Sequence, residues 1–433
     1  MEKIRVWFAF RDRKTDFPTE IMAGAATFLS MLYIIIMVPA MFSRGGMEFG
    51  GVYAATVLLT MTATLVMGIR LNCPIAVAPH VGINAYLAYA VIVAGGMPWQ
   101  EALGAALLAA GLLMLASWSS LCEVLLQAIP PSLKAAVAIG LGFFMALIGL
   151  ENGRLVVSSP MTTVMLGDLS DPIAALTLLG LFLTLLLMVL GVRGAVFIGM
   201  VLTAAASFAM GVMDFPAAPF SLPLGIDQAF GQLAFGEPEM LGMTVLTLFL
   251  ATLLDTTGTM LGIGRQVRNM TQETLLPLKG ALFTSAVGSV VGALIGTGPT
   301  TARLESGVGV AAGGRTGFTA VVTAAFFLGM LFCVPIAKMM ASVPSITAPA
   351  LILSGAFLME SVADIDWKDY TEALPAFFTL LLLPLSFSIA TGIGVGFVLY
   401  VFLKVVTGQG RQIHSLLYIL AVLFMMQFVF AKI

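Results

Sequence analysis

Only 10% of the 433 residues are charged and 60% are hydrophobic, whereas a soluble domain of this size carries about 25% charge. An ordinary soluble protein is therefore excluded. The net charge of −2, with no basic tract, leaves no nucleic-acid partner to expect. Backbone groups cannot stay unpaired in lipid, so the spans are helices or a closed barrel. The apolar runs are near 20 residues long rather than alternating ten-residue strands, which selects helices.

In chain order, residues 1–14 form an N-terminal segment with five bases, Lys3, Arg5, Arg11, Arg13 and Lys14. Its apolar patch is too short for a cleavable signal peptide. Spans are then predicted at 21–43, 49–69, 74–93, 101–125, 132–150, 172–191 and 194–213. The longest polar loops, 151–171 and 214–239, are too short for an inserted soluble domain. The loop from Asp214 to Glu239 holds four acids and no Lys or Arg. The positive-inside rule places the N-terminus in the cytoplasm and that loop outside, which requires an odd number of spans between them. The second half is predicted to span at 240–262, 277–296, 299–312, 317–341, 346–362, 371–407 and 412–431. Region 371–407 is either a short interfacial helix plus one span or two spans broken near Pro384. The expected architecture is an all-α polytopic membrane protein of about fourteen spans.

The halves, 15–215 and 216–433, echo each other. "IPPSLKAAVAIGLGFFM" (129–145) matches "VPSITAPALILSGAFLM" (343–359), with Ser132 over Ser345 and Gly142 over Gly355. "PIAVAPHVGINAYLAY" (74–89) places Asn84 soon after Pro79, and "GTGPTTARLES" (296–306) places Glu305 soon after Pro299. Seven spans per repeat invert the second copy. Gly/Pro-interrupted segments at matching places in inverted halves point to the binding site of a secondary transporter. Half-helix ends there offer unpaired N–H groups and partial charge to a polar ligand.

Asp255 lies within the apolar run "LFLATLLDTTGTMLGIG". An acid at a helix centre costs about 2.5–3.5 kcal/mol to insert, so it reads as a proton-coupling or substrate-binding carboxylate, or else as a structural acid bonded to a neighbouring helix. Glu305 reads as a ligand group or proton carrier. Its other reading is a partner of Arg303, which a spacing of two disfavours within a regular helix. Asn84 could read a ligand with mixed donor and acceptor edges or bridge the broken helices. His80 could titrate or merely end a helix. Arg303 would attract an anion or offset the carboxylates, while Glu123 and Lys338 read as snorkelling groups at span ends. Cys73, Cys122 and Cys333 give no disulfide framework, and two histidines make no usual multi-His metal site. Neither HExxH nor GxSxG occurs, and "GTGPTTA" lacks the Lys of a phosphate-binding loop. No enzyme, ATP-driven motor or cofactor is expected. A channel would favour rings of one ligand type from several subunits.

Four passages resemble the second class of nucleobase–cation symporters, in the azaguanine-resistance-type branch of adenine, guanine and hypoxanthine permeases. They are "AGAATFLSMLYIIIMVPAMFSRGGM" (23–47), "NCPIAVAPHVGINAYLAY" (72–89), "LLDTTGTMLGIG" (253–264) and "GTGPTTARLESGVGVAAGGRTGFTAVV" (296–322). The resemblance implies a 7+7 inverted repeat, with a core at 21–125 and 240–341 and a gate at 129–213 and 343–431. It implies half-helical spans 3 and 10 that hold substrate beside span 8, elevator-like movement, proton coupling and a homodimer in the plasma or inner membrane. Asn84, Asp255 and Glu305 match the family's polar binding positions, and Ala85 and Leu304 lie beside the broken helices. Three positions depart from the family pattern: His80 where Gly is usual, Thr252 where an acid is usual, and Arg303 where an aromatic is usual. Arg303 would suit a more acidic ring, such as xanthine or urate. The expectation is proton-coupled symport of a purine such as guanine, hypoxanthine, adenine or xanthine, with transport of another small planar or inorganic anion through Arg303 and the half-helix N-termini as the alternative.

Overall fold

The computed structural model describes residues 2–119, 121–159, 162–222, 225–266 and 278–430. The predicted span limits at 277 and 431 lie outside the described residues, as does the side chain of Glu123.

The N-terminal segment folds onto the body of the protein. Helix α1 (Glu2–Trp7) leads to Phe8 and Phe10, which with Phe17 pack their rings around Phe318 at 5.2–5.8 Å. Arg13 donates to the carbonyls of Asn72, at the C-terminal end of α4 (Phe49–Leu71), and Arg315 at 2.7 and 2.8 Å.

Helix α2 (Phe17–Met31) starts on an Asp16 cap, and α3 (Ile34–Arg44) follows after an interruption at Leu32–Tyr33. Next come α4 (Phe49–Leu71), strand β1 (Val77–Pro79) and the short α5 (Val81–Ala85), which continues as a wide π-type coil to Ala94. The predicted span 101–125 is two helices, α6 (Trp99–Trp118) and α7 (Leu121–Ala128). After α8 (Pro131–Asn152), the predicted loop 151–171 contains a hairpin of β2 (Val156–Ser159) and β3 (Thr163–Leu166). Helices α9 (Pro172–Val189) and α10 (Ala195–Ala209) complete this half, and the one-turn α11 (Ile226–Ala229) opens the next.

The second half runs α12 (Pro238–Gln266), α13 (Leu278–Ile295), β4 (Thr300–Ala302) and α14 (Ser306–Ala311). The predicted span 317–341 consists of α15 (Gly317–Gly329) and α16 (Val334–Ser342), joined through a short 3-10 turn and bent by 81°. Pro335, which has no N–H to donate, stands at the start of α16 and favours the break there. Helix α17 (Pro344–Phe357) runs into a 3-10 turn through Asp364. Region 371–407 is two helices, α18 (Tyr370–Leu385) and α19 (Ile389–Val406), before α20 (Ser415–Phe430). The break near Pro384 falls at Ser386–Ser388, with Pro384 inside the last turn of α18; Phe387 takes φ 49° and Ser388 caps α19. Among the described residues, nine helices are long and apolar enough to cross a membrane singly, or ten if the bent pair is one span.

The protein is a helical polytopic membrane protein whose two small sheets modify the all-α expectation. One sheet decides the centre. Strand β1 pairs antiparallel with β4, in the register Val77↔Ala302, Ala78↔Thr301 and Pro79↔Thr300. His80 N–H and Arg303 N–H extend the ladder to the carbonyls of Pro299 and Ala76. Two chain breaks inside a bundle would each strand backbone groups, and crossing them lets each satisfy the other. Gly298 permits the close approach, since a Cβ there would sit 1.7 Å from Asn84 Oδ1.

The other sequence echo also meets itself. Helix α8 packs on α17, and a Cβ on Gly142 or Gly355 would come within 2.6 or 2.2 Å of the other's carbonyl oxygen. Helix α8 also packs on α18, and α9 and α10 pack on α17; α4 packs on α15 and α13, and α6 on α13 and α12.

Candidate functional site

A cavity of about 430 Å³ opens where the crossed strands meet the turn between α9 and α10. Its wall takes Ser30 from α2, His80 before α5, Asp255 and Thr259 from α12, Arg303, Leu304 and Glu305 before α14, and Ser354 and Phe357 from α17. Of the residues singled out in the sequence, His80, Asp255, Arg303, Leu304 and Glu305 line this space. Asn84 and Ala85 are buried in α5, and Thr252 is buried in α12; none of the three is on the cavity wall.

Arg303 and Glu305 form the ion pair that their spacing argued against. Arg303 Nη2 donates to Glu305 Oε1 at 2.7 Å, with the two side chains 7% and 11% exposed. The spacing rule holds within a regular helix, and these residues sit before one. Arg303 continues from β4 with its N–H on Ala76, while Glu305 is the N-cap residue of α14 and does not cap that helix with its own carboxylate. The Tyr33 hydroxyl donates to the same oxygen, Oε1, at 2.5 Å.

His80 makes two bonds with one ring. Its Nδ1 accepts the Ile83 N–H at 3.0 Å and so caps α5, and its Nε2 lies 3.0 Å from Asp255 Oδ1. A ring nitrogen that accepts an N–H carries no proton of its own, so the geometry assigns the neutral Nε2–H tautomer donating to Asp255. The bond joins the end of the first half-span to the middle of α12.

Asn84 bridges the crossing. Its amide nitrogen donates to the carbonyls of His80 and Pro299 at 2.7 and 2.9 Å. Two carbonyl partners fix which end of the amide is nitrogen. The amide thus splints the two broken segments together from behind the cavity.

Sequence reasoning passed over Tyr33, which is fully buried. It stands in "LSMLYIIIMVP" with no polar neighbour beyond Ser30 to mark it. A hydroxyl in an otherwise apolar span was the available signal, because a buried Tyr usually finds a hydrogen-bond partner.

Besides the Ser354 hydroxyl, three buried side-chain atoms on this wall have no hydrogen-bond partner: Asp255 Oδ2, Glu305 Oε2 and Arg303 Nε. Each unpaired buried polar atom costs about 1–3 kcal/mol. Together they offer two acceptors and one donor. A second cavity of about 340 Å³ shares Asp255, Thr259, Leu304, Phe357 and Glu360 with the first and continues past Asp364 and Lys134. No cluster of His, Cys, Asp or Glu among the described residues could hold a metal ion, and Cys73, Cys122 and Cys333 form no disulfide among them.

A model of the permease family matches residues 18–426. The chain is 40% identical over 429 residues to the guanine/hypoxanthine permease PbuO of Bacillus subtilis, covering 97% of this chain and 99% of that one. It is 34% identical over 427 residues to the adenine permease AdeP of Escherichia coli, covering 98% and 95%. Among solved structures, the transmembrane domain of the cyanobacterial bicarbonate transporter BicA superposes with a TM-score of 0.62 at 15% identity, over 87% of this chain and 97% of that one. That likeness is one of fold.

Proposed function

We propose that this chain, which belongs to the permease family, carries a purine nucleobase across a cell membrane together with a proton. It is a multi-pass membrane transporter and not an enzyme. The observation that carries the reading is the set of partnerless polar atoms where the half-spans cross: acceptors on Asp255 and Glu305, and a donor on Arg303. A purine edge sets a ring or exocyclic N–H beside an acceptor nitrogen or oxygen, and such an edge satisfies a carboxylate and a guanidinium N–H at once. The resemblance to guanine/hypoxanthine and adenine permeases supports the same substrate class.

The ion pair also bears on charge. Arg303 is matched by Glu305 at 2.7 Å, so it is not a free cation awaiting an acidic ring. A neutral base suits a neutral pair, and the reading of this protein as a carrier of xanthine, urate or another small anion loses the feature that motivated it.

In this scheme Glu305 and Arg303 take the base. Asp255, held through one oxygen by a neutral His80, carries the proton on the other. One proton crossing 100 mV gains about 2.3 kcal/mol, roughly a fifty-fold gradient. Helices of 21–125 and 240–341 act as the moving core, and those of 129–213 and 343–431 as the gate. The cavity between these groups is carried from one side to the other, with the N-terminus cytoplasmic and two copies paired as a homodimer.

Uptake of labelled guanine, hypoxanthine and adenine into cells that lack their own purine permeases tests the reading. Accumulation is expected, and a protonophore is expected to collapse it. Uptake of sulfate or a carboxylate with none of any purine would overturn it.

A further inference from the structure

We infer that Tyr33 is a positioning residue for substrate: its hydroxyl occupies Oε1 of Glu305 and so leaves Oε2 as the oxygen that meets the base. The inference rests on the reading that Glu305 takes the substrate.

The argument begins with the first span. Its helix stops at Met31 and restarts at Ile34, and the interruption sets Tyr33 against the end of the second half-span. The ring is fully buried among Ile34, Ile35 and Met37 in the core cluster. Its hydroxyl donates to Glu305 Oε1 at 2.5 Å, and Arg303 Nη2 reaches the same oxygen at 2.7 Å and the phenol oxygen at 3.4 Å. Oε1 therefore holds two donors while Oε2 holds none. Without the phenol, Arg303 alone would hold the carboxylate, which could turn to offer it both oxygens. The bidentate arrangement is the one that guanidinium and carboxylate favour, and it would use up the oxygen now left for the base. Ser354 of α17 lines the same cavity as Glu305, so the Tyr33–Glu305 bond stands at the seam between the two helix groups on either side of the cavity.

The charged groups lining this wall are Arg303 and Glu305 on their own segment, Asp255 on α12, His80 before α5, Arg193 in the turn between α9 and α10, and Glu360 after α17. Only Arg303 and Tyr33 donate to Glu305 among the described hydrogen bonds.

The experiment is binding of labelled guanine, hypoxanthine and adenine to detergent-purified full-length protein, with thermal melting measured in parallel. Tyr33→Phe keeps the ring and removes the donor. It is expected to raise Kd about ten-fold, the effect of losing one hydrogen bond to a charged group, with little change in melting temperature. Tyr33→His restores a ring N–H and is expected to bind within about three-fold of the parent, a residual of roughly 0.6 kcal/mol. Parent-like Kd in Tyr33→Phe overturns the inference. Equal losses in both variants, with lowered melting, assign Tyr33 to packing and also overturn it. A parent protein that binds none of the three purines overturns the substrate reading, and this inference with it.

Discussion

Two clusters of buried charge face different fates in this fold. At the crossing of the half-spans, Arg303, Glu305, Asp255 and His80 are linked in pairs and still leave three polar atoms without partners. Beyond α8, Lys404 of α19 is equally enclosed, with its side chain 7% exposed, but every charged atom around it is used. Its ammonium meets Glu372 at 3.0 Å, Gln409 at 3.0 Å and Asp369 at 3.5 Å. Glu372 also accepts from Tyr400 and, through its other oxygen, from Ser132, while Asp369 caps α18 through Thr371. Both clusters bury a cation with carboxylates. Each cluster borders a cavity of about 430 Å³, so it is the unpaired atoms, not the space, that distinguish the first as the proposed substrate site.

The contrast can be broken at either end. The largest expected effect on transport is from Glu305→Gln. It removes the charge that matches Arg303 and is expected to lower proton-driven accumulation by on the order of 100-fold, about 2.7 kcal/mol. Full accumulation in uptake assays would take Glu305 out of the mechanism. The counterpart is Lys404→Met, which leaves the half-buried Glu372 without its cation and is expected to destabilise the protein by about 1–3 kcal/mol. Melting temperature and membrane abundance should fall, while KM of the surviving protein stays at the parent value; a shifted KM would mean that the saturated cluster also serves transport.

A smaller and more selective effect is expected at His80, where two bonds can be separated. In His80→Asn the side-chain oxygen can still cap α5 but does not reach Asp255, so coupling is expected to weaken while melting holds. In His80→Gln the amide can reach Asp255 but caps poorly, so stability is expected to fall by about 1 kcal/mol, with a lower melting temperature. Identical behaviour of the two variants would show that the ring has a single role. The smallest effect is expected from Arg303→Lys, which keeps the charge opposite Glu305 and loses Nε. Affinity for purines should fall several-fold to about ten-fold, with stability nearly unchanged; an unaltered Kd would free Nε from any part in binding.

Much of the architecture was legible because lipid makes harsh demands on sequence. Long apolar runs gave most spans, and Gly/Pro breaks in matching places gave the two half-spans. The positions that went astray are those where local rules stop applying. Ridge-like continuity suggested single spans at 101–125 and 317–341, yet the chain turns at Trp118 and at Cys333–Pro335. The break expected near Pro384 does occur, at Ser386–Ser388, where the left-handed Phe387 makes the turn. The Arg303–Glu305 pair was disfavoured by helical spacing because nothing local announces that the helix has not yet begun.

Composition and spacing alone determined that this chain lives in a bilayer, repeats itself in inverted form and breaks two of its helices around Pro79 and Pro299. Those properties depend on solvent and backbone chemistry, which a single chain carries in its own order of residues. Only the tertiary structure decided which polar groups satisfy one another. Asn84 became a splint, Arg303 a counter-charge and Tyr33 a constraint on Glu305. A hydrogen bond is decided by distances of a few tenths of an ångström between segments some 200 to 270 residues apart, and no local pattern encodes that separation.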